Sequence, residues 1–166
     1  MQETINMRGQ LTLRLTNKTG QLIHEQHPKN RIVTSGRQLV AQLFSGFSDP
    51  APSPITTMGV GTDGTTTADS QTDLLAARPI TADTSHKEIA SVDYSIFTEN
   101  PGTDTEVQRV RVLLTTEFEL DEANGDAPLQ EAAIFNEAGV MYNRVVFAPV
   151  TKTDAFRLTL LWEIVF

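Results

Sequence analysis

Leu158-Thr159-Leu160-Leu161-Trp162-Glu163-Ile164-Val165-Phe166 decides the fold. Apolar side chains recur at 158, 160, 162, 164 and 166, with Arg157, Thr159 and Glu163 on the other side. A period of two is the signature of a half-buried β-strand. An α-helix would scatter the same residues around its axis. The run reaches Phe166, the last residue, and free termini fray unless something clamps them. A strand carrying Trp162 and Phe166 is therefore expected to be central and buried. Each large apolar side chain it buries contributes roughly 1.5–3 kcal/mol.

The same period appears elsewhere. Leu11, Leu13 and Leu15 alternate with Thr12, Arg14 and Thr16, and Asn17-Lys18-Thr19-Gly20 supplies the turn into a return strand over Gln21 to Gln26. Ile55 to Gly61 reads as a short strand. Ala90, Val92, Tyr94 and Ile96 share one face of another. Val110, Val112, Leu114, Thr116 and Phe118 share a face of the next, with Arg109, Arg111, Thr115 and Glu117 opposite. Leu129 to Phe135 and Val140 to Phe147 form a hairpin around Asn136-Glu137-Ala138-Gly139.

One segment has the helical period. Gly36, Leu39, Val40, Leu43, Phe44 and Phe47 make a single stripe, which predicts a helix from about Gly36 to Ser45 covering one face of a sheet. Ser35 and Gln38 have capping-box spacing, and Gly46 suits the left-handed stop. Pro50, Pro52 and Pro54 mark Ser48 to Pro54 as a surface connection, and Thr62 to Asp73 is a polar loop. The sum is one domain over residues 1–166, with a hairpin and helix in 1–47 and the main strands and loops in 48–166. Its fold class is mainly β: an antiparallel sandwich of seven or eight strands with one helix packed on it.

Composition narrows the function. The chain has 166 residues, and 13 Lys and Arg face 21 Asp and Glu, a net charge of −8. That balance argues against a nucleic-acid reader, which needs clustered cations. The absence of cysteine excludes disulfides, thiolate metal sites and a Cys nucleophile. Neither a targeting segment nor an apolar run of membrane-spanning length is present, so a cytosol-like compartment is expected until assembly.

Several motifs invite a chemical reading. Gly59-Val60-Gly61-Thr62-Asp63-Gly64 matches G-x-G-x-x-G, but Thr65, Thr66, Thr67 and Asp69 start a helix poorly and no Lys follows Gly64. A glycine-rich strand-to-loop turn is the better reading than a phosphate site. Asp121, Glu122, Asn124 and Asp126 crowd one turn without calcium-loop spacing, so a solvated hairpin turn with Asn124-Gly125 at its tip is expected. His24, His27 and His86 are too few and too scattered for a zinc set. Glu117 and Glu119 lie on the polar side of a strand and read as a solvated face. Asn17-Lys18-Thr19 has the glycosylation pattern, without a secretion signal to make it meaningful. No catalytic, cofactor-binding or metal-binding residue is assigned, and no cofactor.

Three stretches carry a family resemblance. Ile55 to Gly64, followed by Asp73-Leu74-Leu75, has a G-x-G, a Thr-rich loop and then Leu. Gln130-Glu131-Ala132-Ala133-Ile134-Phe135 resembles an E-x-G-(I/L)-F segment, with alanine where that pattern has glycine. Tyr142 to Lys152, leading into Leu158 to Phe166, is similar to an R-x-x-F-x-P-(I/V)-x-K…W-x-I-x-F ending. Together they resemble small virion proteins of tailed bacteriophages, of the tail-fibre or collar (neck) type, over about Ile55 to Phe166. The resemblance implies a non-enzymatic structural protein, assembled in the bacterial host cytoplasm and located in the virion. It would form a homo-oligomer and pack against other virion components (portal, neck, tail or capsid), with no nucleic acid or membrane as partner. A head-surface decoration or head-fibre protein is the alternative, and a receptor- or carbohydrate-binding module comes third. That third reading wants exposed aromatics, and the single Trp lies on the buried-strand pattern. The Thr62–Asp73 loop and the Pro50–Pro54 segment are long enough to serve as interaction elements.

Overall fold

A computed structural model describes residues 7–47, 49 and 51–166. Among the described residues, ten strands form two antiparallel five-stranded sheets packed face to face, with one helix. The first sheet contains β1 (Arg8–Asn17), β2 (Leu22–Gln26), β6 (Ser91–Glu99), β7 (Val107–Phe118) and β10 (Phe156–Val165), in the order β2-β1-β10-β7-β6. The second contains β3 (Arg31–Ile32), β4 (Ile55–Gly61), β5 (His86–Glu88), β8 (Leu129–Asn136) and β9 (Met141–Val150), in the order β3-β9-β8-β4-β5. The eight longer strands lie where the alternation places them. The two added ones, β3 and β5, have two and three residues, too few to show a period.

The terminal strand β10 is the central strand of the first sheet. Leu158, Leu160, Trp162 and Ile164 face the core, opposite Leu15, Leu13, Leu11 and Gly9 of β1. On its other side, Trp162 stands across from Leu114 and Leu158 across from Phe118. The second sheet supplies Met58, Val60, Ala132, Ile134 and Val145 to the same core.

The second sheet is buried on both sides. Val33, Leu74, Ala133, Phe135 and Met141 form a smaller apolar cluster on its outer side, beneath the long β4–β5 connection. This is why β8 is buried at nearly every position rather than at alternate ones.

Helix α1 (Thr34–Ser45) ends at Gly46, whose φ of 65° is the left-handed stop its sequence predicts. The expected capping box is overturned. Val33 is the N-cap, and the Ser35 hydroxyl instead donates to the Met141 carbonyl at 2.5 Å. Nor does the helix cover a sheet face. Its first turns dock on β9, where Gly36 lies so close to the Tyr142 carbonyl that no β-carbon fits. Gly36 and Leu39 are buried, but Leu43, Phe44 and Phe47 point outward, and Phe44 is 83% exposed. Of the Ser48–Pro54 connection, Ser48 and Pro50 lie outside the described residues.

Candidate interaction surface

The glycine motif is the first site to resolve. Gly59 and Gly61 lie on the outer side of β4, opposite Ala133 and Glu131 of β8. A β-carbon on Gly59 would meet Leu74 at 2.8 Å; one on Gly61 would strike the Glu131 carboxylate and the Ala76 carbonyl. The two glycines and Ala133 make room for the 62–77 segment to lie flat on the sheet. Beyond Gly64 the chain is loop, as its Thr-rich composition predicts.

That loop is held by a buried ion pair which period-two reading passes over. Arg144 Nε donates to Glu131 Oε2 at 2.7 Å, and both side chains are fully buried. Arg144 also donates to the Thr65 carbonyl at 2.9 Å, to Gln71 Oε1 at 3.1 Å and to the Asp63 carbonyl at 3.4 Å. Glu131 accepts the backbone N–H groups of Leu75 and Ala76 at 3.1 and 2.8 Å. A buried charge is tolerated when its hydrogen-bonding capacity is met, and here it is. The signal available in the sequence is one charged residue inside each of two apolar strands.

The acidic turn is corrected in two respects. It joins β7 of one sheet to β8 of the other, so it is not a hairpin. Its left-handed residue is Ala123, φ 53°, rather than Gly125. It also encloses a cation of the chain's own. Lys152 is buried, and its Nζ donates to the Glu119 carbonyl at 2.7 Å, Asn124 Oδ1 at 2.9 Å and the Thr153 carbonyl at 3.2 Å. Burial lowers the Lys152 pKa, opposed by the charges of Glu122, Asp121, Asp154 and Glu119. Lys87 pairs with Glu122 at 2.5 Å, and Arg78 donates to the Ala127 carbonyl at 2.7 Å.

The histidines are dispersed. His24, on β2, bonds to Gln26 at 2.8 Å, and His27, just past its end, bonds to Glu25 at 2.9 Å. His86 is on the other sheet, stacked on Phe135 with ring centroids 4.1 Å apart. Burial lowers its pKa, opposed by the charge of Asp73. No group of three metal-ligating side chains occurs among the described residues. Glu119 and Glu117 engage Arg157 and Thr159 on the outer face of the first sheet. Trp162 is fully buried.

The surface that stands apart is on β6. Val92, Tyr94 and Ile96 face the same side as Val112, Leu114 and Trp162, the core side of the first sheet. They are nonetheless 61%, 68% and 62% exposed. The second sheet stops at the three-residue β5, which lies over β7, so the first sheet extends one strand beyond its cover. Burial along β7 keeps to that limit. Phe118 and Thr116 are fully buried, Leu114 nearly so, and Val112 and Val110 only in part. Thr116 ties the two sheets by donating to the Glu88 carbonyl at 3.2 Å. A hollow of about 570 Å³ opens at the β5 edge of the second sheet, lined by Ile55, Thr57, His86, Ile89 and the β8–β9 turn residues Asn136 and Glu137, and Val92 is the one overhang residue that reaches it.

Among the described residues, no helix is long and apolar enough to cross a membrane. Comparison with family models, curated proteins and solved structures finds no match to this chain.

Proposed function

We propose that the chain is a non-enzymatic structural subunit of a tailed-phage virion, of the collar, neck or tail-fibre type, which acts by packing against copies of itself and a larger virion component. The observation that carries this reading is the apolar overhang of Val92, Tyr94 and Ile96. It is a core-type surface with no covering layer among the described residues of the chain itself. Contiguous apolar surface of this kind marks protein–protein contact sites. The chemistry of the buried ionisable groups agrees. Glu131, Arg144 and Lys152 are each taken up by bonds that hold loops to sheets, which is the work of a scaffold. The residues that carry the phage resemblance include these same three, together with Trp162 and Ile164 of the core. Gold-labelled antibody against the chain, applied to particles purified from cells that express it, tests the reading. Label at the neck or tail sustains it, label on the head surface moves the subunit to the decoration class, and unlabelled particles overturn it.

A further inference from the structure

Open sheet edges recruit strands, and natural proteins guard them with short strands, bulges, charges or covering groups. Three of the four edges here are guarded. β3 and β5 have two and three residues. β2 has a register shift in its ladder, and the Gln26 side chain clips it to Ala148 through both amide atoms at 3.0 Å. The fourth edge, β6, has nine residues in unbroken register with β7 and contains neither Pro nor Lys; its two charges, Asp93 and Glu99, sit on the face away from Val92, Tyr94 and Ile96. Among the described residues, nothing but β7 hydrogen-bonds to its backbone.

We propose that β6 pairs with β6 of a second copy, antiparallel, about a twofold axis passing through Tyr94. This deepens the assembly reading above by naming the first partner and its register. The direction comes from topology. Every neighbouring pair in the first sheet is antiparallel, so β2 and β6, the outer strands of five, run the same way. Head-to-tail addition would therefore make a parallel ladder, whereas a twofold makes the antiparallel one that such sheets use.

Side chains select the register. Opposed residues must share a face, which places the axis through a residue. Centring on Asp93 sets two aspartates face to face. Centring on Ile96 opposes Asp93 to Glu99, and centring on Ser95 opposes Val92 to Thr98. Centring on Tyr94 opposes Val92 to Ile96 of the second copy and tyrosine to tyrosine, a continuous apolar row. On the outer face it opposes Asp93 to the second copy's Ser95. That serine lies beside Arg111, whose Nε donates to its hydroxyl at 3.1 Å. Asp93 thus meets, from across the axis, the second copy's Arg111, whose guanidinium also pairs with Glu163 at 3.6 Å. Glu99 is already neutralised by Arg8 and Arg109, at 2.5 and 2.9 Å.

The full chain tests this in solution, independently of any virion. Light scattering should give twice the 18.3 kDa chain mass. Tyr94→Lys, which sets two ammonium groups on the axis, should halve that mass while leaving the circular dichroism spectrum unchanged. The chain has no cysteine, so Tyr94→Cys introduces a single thiol opposite its own copy. Facing Cα atoms in an antiparallel ladder are about 4.5–5.5 Å apart, within disulfide reach. Mild oxidation should therefore link Tyr94→Cys chains in pairs. Ile96→Cys thiols, four residues out of register and about 13 Å apart, should stay free. A wild-type mass of one chain overturns the pairing, as does an assembly indifferent to Tyr94→Lys. Cross-linking of Ile96→Cys as fast as Tyr94→Cys overturns the register. In each of these cases label on virions would still sustain the structural role, and a dimer absent from virions would sink the role without the pairing.

Discussion

At the scale of single residues, the polar interior of the outer layer is one coupled unit. Arg144 and Glu131 share a bond and both hold the loop that follows Gly61. Removing one partner leaves the other buried and uncompensated, at a cost of about 3–5 kcal/mol. Arg144→Met and Glu131→Leu should each lower the unfolding free energy obtained from urea melts by that amount, and the double variant should fall well short of their sum. A cycle that is additive within about 0.5 kcal/mol would show that the two act separately. Gly61 and Gly64 separate space from motif. A β-carbon at 61 meets a backbone carbonyl and a fixed carboxylate, whereas one at 64 meets the end of the Gln130 side chain, at 2.8 Å. Gly61→Ala should cost about 1–3 kcal/mol or more by overpacking, and Gly64→Ala distinctly less, in the same denaturation assay. Equal losses would return the motif to a conformational role common to both glycines.

At the scale of elements, β10 and α1 stand at opposite ends of structural importance. β10 is flanked by β1 and β7 and presents Trp162 to the centre of the sandwich. Trp162→Ala should cost about 3–5 kcal/mol, the range for emptying a large core site. That is a large share of the roughly 5–15 kcal/mol that holds a domain folded. The outer stripe of α1 is exposed, so Phe44→Gln should move stability by no more than about 0.5 kcal/mol. Thermal or urea unfolding of the two variants side by side checks both. A Trp162→Ala midpoint equal to wild type would contradict the central position of the strand.

At the scale of the whole molecule, the sandwich has a closed end and an open one, and His86 lies at the boundary between them. Its ring packs on Phe135 and borders the hollow at the β5 edge of the second sheet. Burial favours the neutral ring, so the folded pKa lies below that of the unfolded chain. The unfolded state then binds more protons in the interval between the two values, and stability rises with pH there. The contribution is complete above the unfolded histidine pKa, about 6.5, and is lost as pH falls toward the folded value. Urea midpoints should accordingly decline below about pH 6.5, and His86→Gln should flatten that decline. An unchanged slope in the variant would assign the acid sensitivity to other groups.

Eight strands, the helix, its glycine stop and the central place of the terminal strand are legible in the chain itself. Periods of two and 3.6 are local properties of backbone geometry and survive without knowledge of neighbours. The division of those strands between two sheets, their order and the two short strands are decided by contacts between segments far apart in sequence. So are the burial of Glu131, Arg144 and Lys152 and the true use of Gly59 and Gly61. The candidate surface marks the limit most sharply. Alternation tells that Val92, Tyr94 and Ile96 share a face with one another, as Leu158, Leu160 and Trp162 do. It carries no record of whether a second layer lies over that face. For β10 the second sheet does, and for β6 it ends one strand short, because cover is a property of the packed sandwich and not of any single strand.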